Sequence, residues 1–191
     1  MSHYFSSTIA EYSRILSQML CEVIEHNYLL KKVPIPINKT QFSILKILKI
    51  SGPYLVSEIA NILQISRAAA SKNVDKLVHY RLVKRKIIAQ DRRTTQVLLL
   101  KPGEQIVDEY DRLREMKQNA ALARFSENEQ KQLADLLGKY VRECLQQEED
   151  IDLICLQCNG SIRDKCELSE HRERCRFYYQ AERKKEEAYR P

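Results

Sequence analysis

No stretch of this chain approaches the roughly 18 uninterrupted apolar residues that a bilayer-spanning helix needs. The opening Met-Ser-His-Tyr-Phe has no charged segment leading into an apolar core, so no signal peptide is expected and a cytoplasmic location is the default. The sequence also lacks a Ser-His-Asp arrangement, a phosphate-cradling loop and a metal-hydrolase motif. A βαβ pattern that would set a Cys-x2-Cys pair at a helix start for thiol exchange is missing too. Internal repeats are absent. These gaps argue against an enzyme and against a membrane partner, and they leave a binding protein.

What is present is positive charge, unevenly placed. The 191 residues carry a formal charge of +6. Between Asn38 and Pro102, 13 Lys and Arg stand against Glu58, Asp75 and Asp91, so this stretch holds +10 and the remainder −4. A concentrated basic block suits a polyanion such as nucleic acid; a solvated basic surface is the competing explanation.

Helical periodicity frames the block. Phe5, Ile9, Tyr12, Leu16, Met19 and Val23 recur at gaps of four and three, the seam of a long helix, widened by Ile15, Leu20 and Ile24 and ended by Pro34 and Pro36. Asn38 with Gln41 predicts a capped second helix carrying Phe42, Ile44, Leu45 and Leu48, closed by Ser51-Gly52-Pro53. Ser57 is expected to cap a short third helix packed by Ile59, Ala60 and Leu63. Ser66 is expected to cap a fourth carrying Val74, Leu77 and Val78. A fifth begins near Pro102 with Ile106, Val107, Tyr110 and Leu113. Ser126 and Glu129 form a capping box for a sixth, whose stripe is Leu133, Leu137, Tyr140 and Cys144.

Between the fourth and fifth helices the pattern switches. Leu82-Val-Lys-Arg-Lys-Ile-Ile88 reads as a basic strand, Asp91-Arg92-Arg93 as a charged turn, and Gln96-Val-Leu-Leu-Leu100 as an apolar strand. Two short helices followed by a two-stranded wing form a DNA-reading module. The fold class expected is therefore mainly α with a small β-wing: a winged helix-turn-helix domain plus long helices forming a dimerisation domain. The expected divisions are 1–37 (N-terminal dimerisation helix), 38–102 (DNA-binding domain), 103–149 (C-terminal dimerisation helices) and 150–191 (a cysteine-rich appendage). The apolar faces of the long helices are too large for a small winged domain to cover, so a homodimer is expected, and it suits two DNA half-sites.

Over residues 5–147 the order of helices and the wing wording resemble the MarR family of winged-helix regulators. Asp91-Arg92-Arg93 with Val97-Leu-Leu-Leu-Lys-Pro-Gly103 carries most of the likeness, supported by Ile65-Ser66 and by Leu77 leading to Leu82-Val83. The resemblance implies a recognition helix at residues 66–76 entering the major groove, Arg93 entering the minor groove, and Asp91 bracing the wing. It also implies a small-molecule effector, held between the dimer and DNA domains, or thiol oxidation as the signal. The residues suit such roles. Ser66, Arg67, Ala68, Ala69, Ser71 and Lys72 occupy the first half of that helix. Ala68 or Ala69 can meet a thymine methyl, and Arg67 can grip guanine in bidentate fashion. Lys72 or Lys76 can reach phosphate, and Arg92 and Arg93 match the minor groove's negative potential. One departure stands out: where the family usually has Gly after the recognition helix, this chain has Arg81, at a cost of order 1 kcal/mol if the cap is left-handed.

Outside the resemblance lie Cys155, Cys158, Cys166 and Cys175, spaced C-x2-C-x7-C-x8-C with Asn159-Gly160 after the first pair. Four soft ligands can close a tetrahedral zinc site or hold an iron–sulfur cluster; free thiols or a disulfide are the remaining alternative. An unbroken helix from Cys166 to Cys175 would part them by roughly 13 Å, so a shared ion requires a bend, or His171 as the alternative ligand beside Cys175. Cys21 and Cys144 fall on apolar helix faces and are expected to be buried. The expectation is a dimeric DNA-binding regulator, most simply a repressor, with zinc or a cluster as possible sensor of metal or redox state. A thiol–disulfide redox protein and a protein-binding adaptor using the winged helix and zinc tail are the alternatives.

Overall fold

The computed structural model describes residues 2–88 and 91–145. The elements run α1 (Ser2–Ser17), a π-helical turn (Gln18–Val23), α2 (Ile24–Lys31), α3 (Lys39–Ser51), β1 (Tyr54–Leu55), α4 (Val56–Ile62), α5 (Arg67–His79), β2 (Val83–Ile88), β3 (Asp91–Leu99), α6 (Lys101–Leu122) and α7 (Glu127–Leu145). The class is the expected one, mainly helical with a small antiparallel sheet.

The long first helix is not uniform. In the π turn the Ile24 N–H donates to the Met19 carbonyl, five residues back. A π turn inserts one residue, which rotates the following face by about 100°. Phe5, Ile9, Tyr12, Leu16, Met19 and Val23 accordingly stay exposed, whereas Ile24, Glu25 and Tyr28 are buried. The seam read from the sequence thus serves two surfaces: an outward one on α1 and an inward one on α2.

The core centres on α3, α5 and the sheet. Phe42, Ile44, Leu45, Ile59, Val74, Leu77, Leu82, Val83, Val97 and Val107 are all buried. The rings of Tyr28, Phe42 and Tyr110 meet at centroid distances of 6.1, 5.5 and 5.1 Å, joining α2, α3 and α6. Among the described residues, none of α1 or α7 belongs to the buried core. Phe5, Tyr12 and Leu136 expose 64%, 67% and 68% of their surface, an arrangement that leaves large apolar faces uncovered in a single chain.

Local details divide between expectation and correction. Asn38 accepts from the Gln41 N–H at 2.8 Å while Gln41 accepts from the Asn38 N–H at 3.1 Å, the full capping box. Ser126 and Glu129 make the same exchange at 3.4 and 2.8 Å. Ser57 is not a cap: α4 starts at Val56, and the Glu58 carboxylate accepts from the Leu55 N–H at 2.7 Å. The sheet has three strands in the order β1-β3-β2, because Tyr54 and Leu55 pair with Val97 and Gln96. Two residues after a Gly-Pro turn were too short a run to read as a strand. Asp91, Arg92 and Arg93 are not a turn; they open β3, with Ile88 paired to Asp91. Cys144 is exposed, because no described residue covers its stripe on α7; the side chain of Cys21 lies outside the described residues.

Pro102 and Gly103 start α6 for different reasons. Proline suits the first turn, where an N–H has no partner to lose. A Cβ on buried Gly103 would stand 2.5 Å from the Leu82 carbonyl oxygen and 2.8 Å from Leu99 Cδ1. Backbone that close cannot give way, so α6 approaches the sheet only because this residue is glycine. Gly103→Ala is expected to cost about 1–3 kcal/mol in denaturant unfolding, despite alanine's better helix propensity.

Candidate nucleic-acid interface

Helices α4 and α5 are joined by a tight turn. Gln64 takes φ 53, the Ile65 N–H donates to the Ala60 carbonyl at 3.0 Å, and Ser66 Oγ accepts from the Ala69 N–H at 3.1 Å. The cap starts α5 directly at Arg67. Ala70, Val74 and Leu77 face the core, every third or fourth residue. That leaves Arg67, Ala68, Lys72 and Lys76 exposed, with Ala69 and Ser71 half-buried. Ala68, Ser71, Lys72, Asp75, Lys76, His79 and Tyr80 line one shallow groove along the outer side of α5. Its lining sets small Ala68 and Ser71 beside the cations Lys72 and Lys76 and one acid, Asp75.

The wing follows through a left-handed residue. Arg81 has φ 57, and the Leu82 N–H donates back to the Leu77 carbonyl at 2.9 Å. Arg81 therefore occupies a backbone conformation that favours glycine, at a strain of order 1 kcal/mol. Strand β2 presents Lys84, Arg85 and Lys86 to solvent. The backbone of Asp91, Arg92 and Arg93 runs along β3; their side chains lie outside the described residues.

Sequence reasoning passed over Arg85 and Asp75. The Arg85 guanidinium donates to Asp75 Oδ1 at 2.8 Å and to Ser71 Oγ at 3.1 Å, tying the wing to α5. The available signal was the period of two in β2, which puts Arg85 on the same side as buried Val83.

The cysteine reading finds no test here. Cys155, Cys158, Cys166, His171 and Cys175 all lie outside the described residues. Among the described residues no group of three or more metal-binding side chains is gathered, and no helix is long and apolar enough to cross a membrane.

A helix-turn-helix whose second helix carries an exposed cationic face, followed by a hairpin wing, defines a winged helix-turn-helix protein. Residues 37–95 match the MarR family. Solved structures share the fold. A MarR family protein from Bacillus stearothermophilus is 23% identical, over 76% of this chain and 99% of that one, with a TM-score of 0.62. YusO from Bacillus subtilis is 24% identical, over 71% and 96%, at 0.58. The multidrug-pump regulator MepR of Staphylococcus aureus, bound to ethidium bromide, is 21% identical, over 69% and 95%, at 0.52. No curated protein matches the chain.

Behind α5 and the wing, α3 is pinned to its neighbours. Lys46 Nζ lies 2.8 Å from Glu25 of α2 and 5.0 Å from the Phe42 ring centroid. Lys49 Nζ pairs with Asp108 and Asp111 of α6 at 2.8 and 2.9 Å. Partial burial draws the Lys49 ammonium down, but hydrogen bonds and charge from those two carboxylates outweigh it and hold its pKa above the ordinary value. An open cleft of about 1070 Å³ lies beside α2, lined by Glu22, Glu25, His26, Leu29 and the 33–39 connection. The Tyr28 hydroxyl donates to the Ile106 carbonyl at 2.6 Å, and burial first, then the charges of Glu109 and Asp111, push its pKa from 10.0 up to about 12. A raised phenol pKa favours the neutral, folded form. The contribution is full below pH 10 and is lost as pH rises toward 12. Denaturant unfolding at stepped pH is expected to show the wild-type chain losing more stability across that window than Tyr28→Phe.

Proposed function

We propose that the chain is a sequence-specific DNA-binding transcriptional regulator that works as a homodimer, most simply a repressor. The observation carrying this is the cationic outer side of α5 joined to a basic wing. Ser66, Arg67, Ala68, Ala69, Ser71, Lys72 and Lys76 meet the major groove and its phosphates, Arg92 and Arg93 the minor groove, and Asp91 braces the wing. The uncovered apolar faces of α1 and α7 support pairing with a second copy, which sets two recognition helices one helical turn of DNA apart. The absence of an enzyme motif agrees with this. Arg67→Ala is expected to cost about 1–3 kcal/mol of affinity for a duplex enriched from a random pool. Lys72→Ala is expected to weaken binding to all duplexes alike and lower the salt slope by about one. Binding untouched by both changes and by salt would favour the adaptor reading.

The cleft beside α2 supports a small-molecule effector acting between the DNA-reading and dimer-forming elements. For the tail, Cys155, Cys158, Cys166 and Cys175, with His171 as the alternative ligand, are proposed to bind zinc or an iron–sulfur cluster. The support is their spacing. Elemental and sulfide analysis of anaerobically purified protein is expected to give about one zinc per chain, or iron with matching sulfide. Removal of the metal is expected to lower DNA affinity if the site is sensory; a metal-free, fully reduced tail would sink the proposal.

A further inference from the structure

Within the DNA-reading surface, Asp75 is out of place. It is an acid on the groove-lining side of α5, in a stretch that otherwise holds almost only cations, and it would repel phosphate if left alone. It is not alone. Ser71 and Asp75 stand four residues apart on one side of α5, and one Arg85 nitrogen reaches both, at 3.1 and 2.8 Å. Arg85 comes from β2, opposite buried Val97, on the side of the strand that Val83 turns to the core. Lys84 and Lys86 alternate to the other side. The Arg85 side chain is 33% exposed and that of Asp75 63%, so the arginine lies in the corner between strand and helix. Exposed ion pairs add little to stability. What this one does is fix the angle between the two elements that enter different grooves.

We propose that Arg85 is a positioning residue that locks the base of the wing to the recognition helix through Asp75 and Ser71, so that both grooves are contacted as one unit. The proposal rests on the DNA-binding reading above. A left-handed, non-glycine Arg81 links the same two elements through the backbone, and the side-chain contacts add a second link between them further along the strand.

The test is a double-mutant cycle on the full chain, with a duplex enriched by the wild-type chain from a random pool and anisotropy at fixed salt. Arg93→Ala is expected to weaken binding about tenfold in the wild-type background and less than about twofold in the Arg85→Ala background. Asp75→Asn breaks the ion pair of the lock while removing a negative charge and without emptying the corner, so it decides the matter even if Arg85→Ala folds poorly. It is expected to abolish the Arg93 penalty as Arg85→Ala does, with Arg85→Lys intermediate. An undiminished Arg93 penalty in Asp75→Asn, with tighter binding overall, would overturn the lock and leave the DNA-binding reading intact. So would an Arg93→Ala that costs nothing in the wild type. A wild-type chain that enriches no duplex would bring down the reading itself, and the lock with it.

Discussion

Everything in this fold leans on the burial of α3. Phe42, Ile44, Leu45, Ile47 and Leu48 are buried, as is Gln41 of its capping box, so the helix touches neighbours on nearly every side. A helix so enclosed can keep cations only where they find partners or a path to water. Lys46 finds Glu25 on α2, and Lys49 finds Asp108 and Asp111 on α6. One hydrophobic helix thereby connects α2 and α6 to α5 and the sheet. The Tyr28–Phe42–Tyr110 ring cluster closes the same junction.

That arrangement makes one physical route through the molecule. Helix α2, beside the open cleft, is joined to α3 by the Glu25–Lys46 pair. Glu25 Oε1 is buried without a hydrogen-bond partner, which makes this pair the least satisfied polar contact of the junction. Arg114 Nε, on α6, is in the same condition. Downstream, α3 packs on α5, and α5 is tied to the wing by Arg85. Packing and ion pairs thus run without a break from α2 through α3 and α5 to the wing.

Much of the architecture was legible in the chain. The capping pairs Asn38/Gln41 and Ser126/Glu129, the Ser66 cap and the start of α6 at Lys101-Pro102-Gly103 are local chemistry, and local chemistry is written residue by residue. The basic, outward side of α5 followed from setting Val74, Leu77 and Val78 on its apolar side; the structure adds Ala70 to the buried set and leaves Val78 half-buried. Other features were hidden. Strand β1 is two residues long and exists only because β3 lies beside it. The π turn at Gln18–Val23 leaves no mark in composition, yet it turns the apolar stripe from one surface to another. Cys144 reads as a core residue on periodicity alone and is exposed in the single chain.

The sequence by itself determined the helix starts, the switch to strand periodicity, the placement of charge and the cysteine spacing of the tail, because each depends on neighbours in the chain. Only the tertiary structure decided which face each apolar stripe covers, that α6 needs glycine where it meets the Leu82 carbonyl, and that Arg85, among three cations in a row, is the one joined to the recognition helix. Those outcomes depend on residues brought together from 10 to 78 positions apart, and no local pattern encodes such distances.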